Sequence, residues 1–179
     1  MFNFLVTAVD GAWDNPGYEY TKSRFLEYTS DDIATSFQEL NGPQLAALNE
    51  LPCLFAYEGS RQPMRVGRLT VTLRNNGRIL YVELKIDAGI APIDFSQIQP
   101  LQAALDIREW EMNRTHWAIK DADLFGVLGQ RGLIPAGSTS SNIAKADLPP
   151  VSELELHADS VGNFIQHVFK LSHGGREVF

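Results

Sequence analysis

The sequence predicts an α+β domain in which helices cover a bent antiparallel sheet or a small open β-barrel. Asn75-Asn76-Gly77 separates two apolar runs, and these residues tolerate the positive φ that tight hairpin turns need. The run 79–86 alternates polar and apolar residues, which gives a strand one wet face and one buried face. Apolar residues at helical spacing within 31–51 add a helical layer. Short strands with hairpin connections disfavour a parallel, doubly wound fold.

The elements are predicted in chain order from local signals. Residues 2–9 are rich in β-formers, and a turn-rich loop follows, with a second short strand possible at 23–28. Ser30 is a candidate N-cap for a helix whose first turn carries Asp31 and Asp32. Strands are expected near 2–9, 52–58, 65–73, 79–86 and 114–120, and helices near 31–40, 43–51, 95–105 and 121–128. Pro100 is expected to break or kink the third helix.

The chain is predicted to have three parts. Residues 1–134 form the α+β interaction or sensing module. Residues 135–150 are rich in Pro, Ser, Ala and Gly, which is typical of a linker. Residues 151–179 are predicted to form a C-terminal appendage, a strand followed by an amphipathic helix. The apolar face of that helix needs a partner layer to cover it.

Charge and composition exclude several functional classes. The formal net charge is −7, which disfavours nucleic acid and anionic membranes as partners, because both require clustered Lys and Arg. No apolar window approaches the length of a membrane span, and the N-terminus lacks the basic region of a signal peptide. A cytoplasmic protein is therefore expected. A protein partner, including a second copy of the chain, is the favoured kind.

Neither a cofactor nor a metal is expected. Cys53 is the single cysteine, so one chain cannot form a disulfide, and the thiol is expected to be buried and structural. The histidines lack the i,i+4 spacing of a helical metal site. Gly126, Gly129 and Gly132 lack the strand-to-helix context of a phosphate loop and are better explained as a helix exit.

The densest group of functional residue types lies between 108 and 121. Tryptophan and arginine are the types favoured at interface hot spots. The candidate partner-binding residues are Trp110, Arg114, His116, Trp117, Lys120 and Asp121. Two alternatives remain open: the tryptophans pack in a core while the charged residues form ion pairs, or Glu109 or Glu111 and His116 act as an acid/base pair.

Two other groups deserve a hypothesis. Tyr18 and Tyr20, with Trp117, are candidates for lining a small-molecule or nucleotide site in the barrel mouth. Packing over the open end of the sheet is the alternative. Five arginines cluster around the predicted hairpin and are more typical of a charged sheet face than of an acidic-partner site; they are Arg61, Arg65, Arg68, Arg74 and Arg78.

Two stretches resemble known families. The runs LPCLFAYE (51–58), RVGRLT (65–70), LDI (105–107) and 110–124 together resemble an N-terminal module found ahead of effector domains in bacterial proteins, some of them linked to phage defence. Its most specific tract is RTHWAIKD (114–121). That module has no assigned chemistry, so the resemblance implies no catalytic residue.

The second resemblance lies at the C-terminus. Ser160-Val161, an amphipathic helix and GREVF (175–179) are similar to the opening of an FRG domain. That family continues with a Tyr/Phe-Arg-Gly motif, which would follow the last residue here. The resemblance therefore implies the truncated start of such a domain. Taken together, the features predict a non-enzymatic interaction or sensing module of a bacterial defence or toxin-like system, with a small-molecule or nucleotide sensor as the alternative and an enzyme as a third possibility.

Overall fold

The structure, a computed structural model, describes residues 1–60, 62–135 and 138. They belong to one unit of the chain, Met1–Asp147, and form an α+β fold, as predicted. The strands β1 to β6 are Phe2–Thr7, Gly17–Thr21, Cys53–Tyr57, Arg65–Arg74, Ile79–Ile86 and His116–Lys120. The helices α1 to α4 are Asp31–Phe37, Gly42–Glu50, Phe95–Ile98 and Leu124–Gln130.

The strands form one mixed sheet in the order β2-β5-β4-β3-β1-β6. β1 and β3 are parallel, with Asn3 opposite Cys53 and Thr7 opposite Tyr57, and the other strand pairs are antiparallel. The prediction of an antiparallel sheet is therefore wrong for its centre. The long connection through β2, α1 and α2 returns the chain to the edge where β1 began, and such a crossover permits parallel pairing.

The sheet is open, with β2 and β6 as its end strands. A bridge nevertheless connects Phe25, just beyond β2, to Trp117 of β6. The backbone N–H of Leu26 donates to the carbonyl of Trp117 at 2.8 Å. The segment after one end strand therefore contacts the opposite end strand.

The second strand lies earlier than expected. It forms at Gly17–Thr21, within the stretch interpreted as a loop, and pairs with β5. The predicted strand at 23–28 is wrong, because Lys22–Arg24 form a 3-10 turn and Leu26 and Tyr28 have φ values of 68° and 61°. Those positive φ values interrupt extended backbone.

Local hydrogen bonds and a proline set the ends of the helices. Asn41 caps α2 by accepting from the Gln44 N–H at 3.1 Å, and Gln44 Oε1 accepts from the Asn41 N–H. The predicted helix 95–105 is shorter: α3 ends at Ile98 and a 3-10 turn containing Pro100 follows. A proline lacks the N–H of a regular α-helix, so the predicted break is confirmed.

Side chains of alternating strand residues form two apolar layers, one on each face of the sheet. Phe2, Phe4 and Val6 belong to the cluster that includes residues of α3 and α4. Asn3 lies on the other face, where its side-chain amide donates to the carbonyl of Leu48 in α2 at 2.9 Å. β1 is thus buried on both faces, as expected for a central strand.

Cys53 is buried, as predicted. Burial raises the pKa of its thiol, which keeps it in the unreactive, protonated form. The predicted linker 135–150 and appendage 151–179 lie outside the described residues, apart from Pro135 and Ser138. No helix within the described residues has the length and apolar character to cross a membrane.

Candidate functional site

Three loops meet at one edge of the sheet. β1 and β3 are parallel and end there, and β6 begins there because it runs antiparallel to β1. Thr115 connects the loops: its hydroxyl accepts from the Ala8 N–H at 3.0 Å and donates to the Glu58 carboxylate. In open sheets, the edge beyond the carboxyl ends of parallel strands commonly holds the functional site.

The tip of the loop that precedes β6 carries an exposed tryptophan. Trp110 has 71 % of its surface exposed, whereas Trp13 and Trp117 have 2 % and 0 %. The loop is ordered by backbone hydrogen bonds from the Glu111 N–H to the Arg108 carbonyl and from the Asn113 N–H to the Trp110 carbonyl. An indole fixed on an ordered loop presents a large apolar surface to the solvent, which is typical of an interaction site.

A groove of about 260 Å³ lies beside this indole. Phe95 and Met112 supply apolar surface, and both contact or belong to the main core cluster. The polar lining is mostly amide and hydroxyl, from Ser60, Gln99, Gln102 and Asn113, with Glu109 as the charged member. The indole and the groove together form a concave, largely uncharged surface, here called the Trp110 surface.

Beneath the loop lies a buried charge cluster. Glu111, His116 and Lys120 are each fully buried. Glu111 Oε1 accepts from Lys120 Nζ at 2.7 Å and from the Arg108 N–H at 2.9 Å. Lys120 Nζ also donates to the Tyr28 carbonyl at 3.0 Å. The carboxylate therefore connects the loop that carries Trp110 to the end strand β6.

His116 is the third member of the cluster and lies beside the second carboxylate oxygen of Glu111. Its Nδ1 lies 2.7 Å from the Arg114 carbonyl, and because a carbonyl only accepts, Nδ1 carries the hydrogen. Nε2 then faces Glu111 Oε2 at 3.6 Å. Within the described residues, neither of these two buried atoms has a hydrogen-bond partner.

The cluster shifts the protonation equilibria of its members. Burial alone would raise the pKa of Glu111, but contacts with His116 and Lys120 outweigh it and hold the pKa below its ordinary value. Burial lowers the pKa of Lys120, and the Glu111 carboxylate opposes that shift. Glu111 is thus ionised at neutral pH, and Lys120 is its counter-ion.

The predicted partner-binding residues divide into an exposed group and a buried group. Trp110 and Asp121 are exposed, and Arg114 binds both oxygens of Glu27, each at 3.0 Å. This ion pair raises the pKa of Arg114. His116, Trp117 and Lys120 are fully buried, so these three cannot contact a partner in this fold. Their strand is covered on both faces, which the alternation of residue types did not indicate.

The alternative ligand residues lie in a filled layer. Tyr20 and Trp117 are buried, with ring centroids 6.2 Å apart, and Tyr18 packs on Tyr20 at 4.8 Å. Trp13 covers Tyr18 at 5.4 Å. Tyr20 donates its hydroxyl to the Val6 carbonyl at 2.9 Å, and burial raises the pKa of this phenol. The rings occupy the space assigned to a ligand, so packing is the role the geometry gives them.

The predicted acid/base pair is brought together, but beneath the surface. Glu111 and His116 are neighbours, as the third hypothesis expected, yet Lys120 neutralises the carboxylate and both side chains are fully buried. Sequence reasoning missed the groove residues Phe95, Gln99 and Gln102, which lie in a different element from Trp110. Within the described ranges, no group of three or more His, Cys, Asp or Glu residues is placed to hold a metal ion.

Comparison with known proteins found no matching family model, no similar curated protein and no similar solved structure.

Proposed function

We propose that residues 1–134 are a non-enzymatic protein-interaction or sensing module of a bacterial defence or toxin-like system. Its contact surface is the Trp110 surface. The observation that supports this proposal is the 71 % exposure of Trp110 on an ordered loop beside a groove. Tryptophan is among the residue types that contribute most to protein interfaces, particularly where a pocket adjoins it.

The surface suits a partner that inserts an apolar side chain. The indole supplies a broad apolar face, while the amides and hydroxyls of the groove donate to or accept from the partner's backbone. Arg114 and Asp121 would lie toward the rim, where exposed charges affect association rate and specificity more than affinity. The partner is a protein, and a second copy of this chain is one candidate.

The buried cluster contributes by holding the loop in one conformation. Glu111 accepts from the Arg108 N–H, two residues before Trp110, and pairs with Lys120 in β6. A loop that is already ordered loses less conformational entropy on binding, so affinity rises without any new contact. In this proposal Glu111, His116 and Lys120 position Trp110 and do not touch the partner.

The resemblance of the tract RTHWAIKD to a module of phage-defence proteins supports the biological setting. The proposed location is the cytoplasm. The enzymatic alternative would require a substrate to reach Glu111 and His116, so Glu111→Gln and His116→Ala variants that fold and retain biological activity would exclude it.

The test is co-purification of the tagged, full-length protein from its native host, with neighbouring gene products as defined candidates. Trp110→Ala is expected to weaken binding of an identified partner by roughly 30-fold or more, because truncated hot spots cost about 2 kcal/mol or more. Val9→Ala is the matched control, since Val9 is the other exposed large apolar residue of the described ranges, at 53 %.

Two outcomes would contradict the proposal. One is an identified partner that binds the Trp110→Ala variant as tightly as the wild type. The other is a protein that stays monomeric by mass photometry and retains no candidate partner. The sensor alternative is supported by a different feature of the molecule, a basic groove on β4 and β5.

A further inference from the structure

The outer face of the β4–β5 hairpin is open to solvent. Beyond Val66, which is buried in the main core, the residues on the same side of β4 are half-buried or exposed. Helix α4 lies beside this face through Phe125, which lines a groove of about 540 Å³. Ligand sites in proteins commonly occupy about 300–1,000 Å³.

Two positively charged residues line this groove. Arg68 of β4 lies directly opposite Lys85 of β5, and both line the groove and a second one of about 440 Å³. Like charges at directly opposite positions in a sheet repel each other. Neither residue forms an ion pair with a carboxylate of the described ranges, whereas Arg65 and Arg74, at the two ends of β4, pair with Asp14 and Glu19.

Arg68 is oriented for binding from outside the sheet. Its Nη1 donates to the carbonyl of Glu50, at the C-terminal end of α2, at 2.8 Å. A guanidinium has five N–H donors, so this bond fixes its direction and leaves others for a ligand. Lys85 is exposed and contributes an ammonium group to the groove lining. An oriented guanidinium beside an ammonium is a typical arrangement for binding a phosphate group.

The rest of the lining restricts the ligand further. Ile86, Ala88 and Phe125 supply apolar surface next to the two cations. Asp87 lines the first groove and Glu83 the second, so a carboxylate lies on each side of Lys85 along β5. These carboxylates disfavour a highly charged polyanion and accept hydrogen bonds from hydroxyl or amino groups.

We infer that this groove binds a small organic phosphate with a flat ring and hydroxyl groups, the chemistry of a nucleoside monophosphate. Arg68 and Lys85 bind the phosphate, Phe125 contacts the ring, and Asp87 accepts from a hydroxyl or amino group. The site is separate from the Trp110 surface and does not depend on the interaction function proposed above.

Calorimetric titration of the full-length protein with AMP and the other common ribonucleoside monophosphates tests this site, with thermal unfolding as a second readout. At least one of them is expected to bind and raise the unfolding temperature, because a ligand of the native state stabilises it by mass action. Adenosine and inorganic phosphate, each lacking one half of the ligand, are expected to bind at least about tenfold more weakly than AMP if AMP binds.

Lys85→Gln is expected to weaken nucleotide binding by about tenfold or more, since it removes one charged hydrogen-bond donor from the phosphate. Arg78→Gln is the matched control: it removes one positive charge from an exposed position on the same hairpin, outside both groove linings. Its affinity should stay near the wild-type value. Arg68→Lys, which keeps the charge and removes the oriented fork, provides a second variant.

The inference is overturned if no ribonucleoside monophosphate binds at millimolar concentration. Equal losses in Lys85→Gln and Arg78→Gln would also overturn it, because they would reveal only a general effect of net charge. Trp110→Ala is expected to bind nucleotide as the wild type does, which separates a failure of this site from a failure of the interaction surface.

Discussion

At the scale of single residues, Glu111 is one whose replacement should strongly destabilise the protein. It is the fully buried counter-ion of Lys120, 2.7 Å away. Glu111→Gln would leave the ammonium buried without a charge partner, and breaking a buried pair in this way costs about 3–5 kcal/mol. Urea unfolding followed by circular dichroism measures the loss. Glu109→Gln, on the exposed part of the same loop, should change the free energy of unfolding by less than about 0.5 kcal/mol.

The same carboxylate predicts an acid dependence of stability. The pKa of Glu111 in the folded protein lies below its ordinary value of 4.5, so the unfolded chain binds the proton first as the pH falls. The contribution of Glu111 is therefore complete above about pH 4.5 and is lost as the pH falls through the folded-state pKa.

The difference in unfolding free energy between the wild type and Glu111→Gln should accordingly shrink in acid. Its slope cannot exceed about 1.4 kcal/mol per pH unit for one group. Urea titrations of both proteins from neutral pH to pH 3 measure it. A difference that stays constant across this range would contradict the assigned role of the Glu111 charge.

The exposure of Trp110 also leads to a prediction that can be tested without a binding partner. Of the three tryptophans, it alone is exposed, while Trp13 and Trp117 are buried. Acrylamide should therefore quench mainly the fluorescence of Trp110. Trp110→Phe is expected to remove most of the quenchable emission and leave the folded structure intact. Strong residual quenching in this variant would show that another indole is accessible.

At the scale of elements, Gly67 determines how closely β4 approaches β5. A Cβ at this position would lie 2.3 Å from the Lys85 carbonyl oxygen and 2.9 Å from Ile86 Cα. Both are backbone atoms and cannot move without shifting the strand. Gly67→Ala is expected to destabilise the protein by about 1–3 kcal/mol or more, measured by urea unfolding.

Gly42→Ala is the control for that substitution. Gly42 is the first residue of α2, and a Cβ there would meet no atom within 4 Å outside its chain neighbours and its own helix backbone. Alanine at this position should leave stability unchanged or raise it by up to about 1 kcal/mol, because glycine loses more backbone entropy on folding. Equal destabilisation by both substitutions would argue against the close approach of β4 and β5.

At the scale of the whole molecule, the described core lies in the unit Met1–Asp147. Its main cluster extends from Phe2 to Ile134, and the central strand β1 lies between β3 and β6. A chain ending at Ser138 is therefore expected to unfold cooperatively in urea, whereas deletion of residues 2–7 should abolish cooperative unfolding. Failure of the 1–138 chain to fold would show that the core needs residues beyond it.

Local signals predicted the helices and strands well because each of these signals acts over only a few residues. The turn Asn75-Asn76-Gly77 lies between β4 and β5 as predicted, with positive φ at all three positions. The helix starts near 31 and 43 were also correct to within a residue. β2 was missed because its five residues, GYEYT, are too few to show a clear alternating pattern and because they adjoin Pro16.

The candidate site was predicted only in part. Trp110 was singled out by residue type, and the structure leaves it exposed. His116, Trp117 and Lys120 were assigned to the same surface, but β6 is a strand whose two faces are both covered. Phe95, Gln99 and Gln102 were missed, because their position beside Trp110 depends on long-range packing, which a local sequence pattern does not indicate.

Local sequence patterns were enough to predict the α+β class, the β4–β5 hairpin and the buried thiol of Cys53. The pairing of Glu109 or Glu111 with His116 was offered as one hypothesis, and the structure brings Glu111 beside His116. Three features depend on the tertiary structure: the parallel pairing of β1 with β3, the packing of Trp13 in the aromatic layer and the position of Arg68 opposite Lys85. The physical reason is that hydrogen-bond propensity and turn chemistry act between neighbours in sequence, whereas strand order and solvent exposure depend on which distant segments compete to cover the same apolar face.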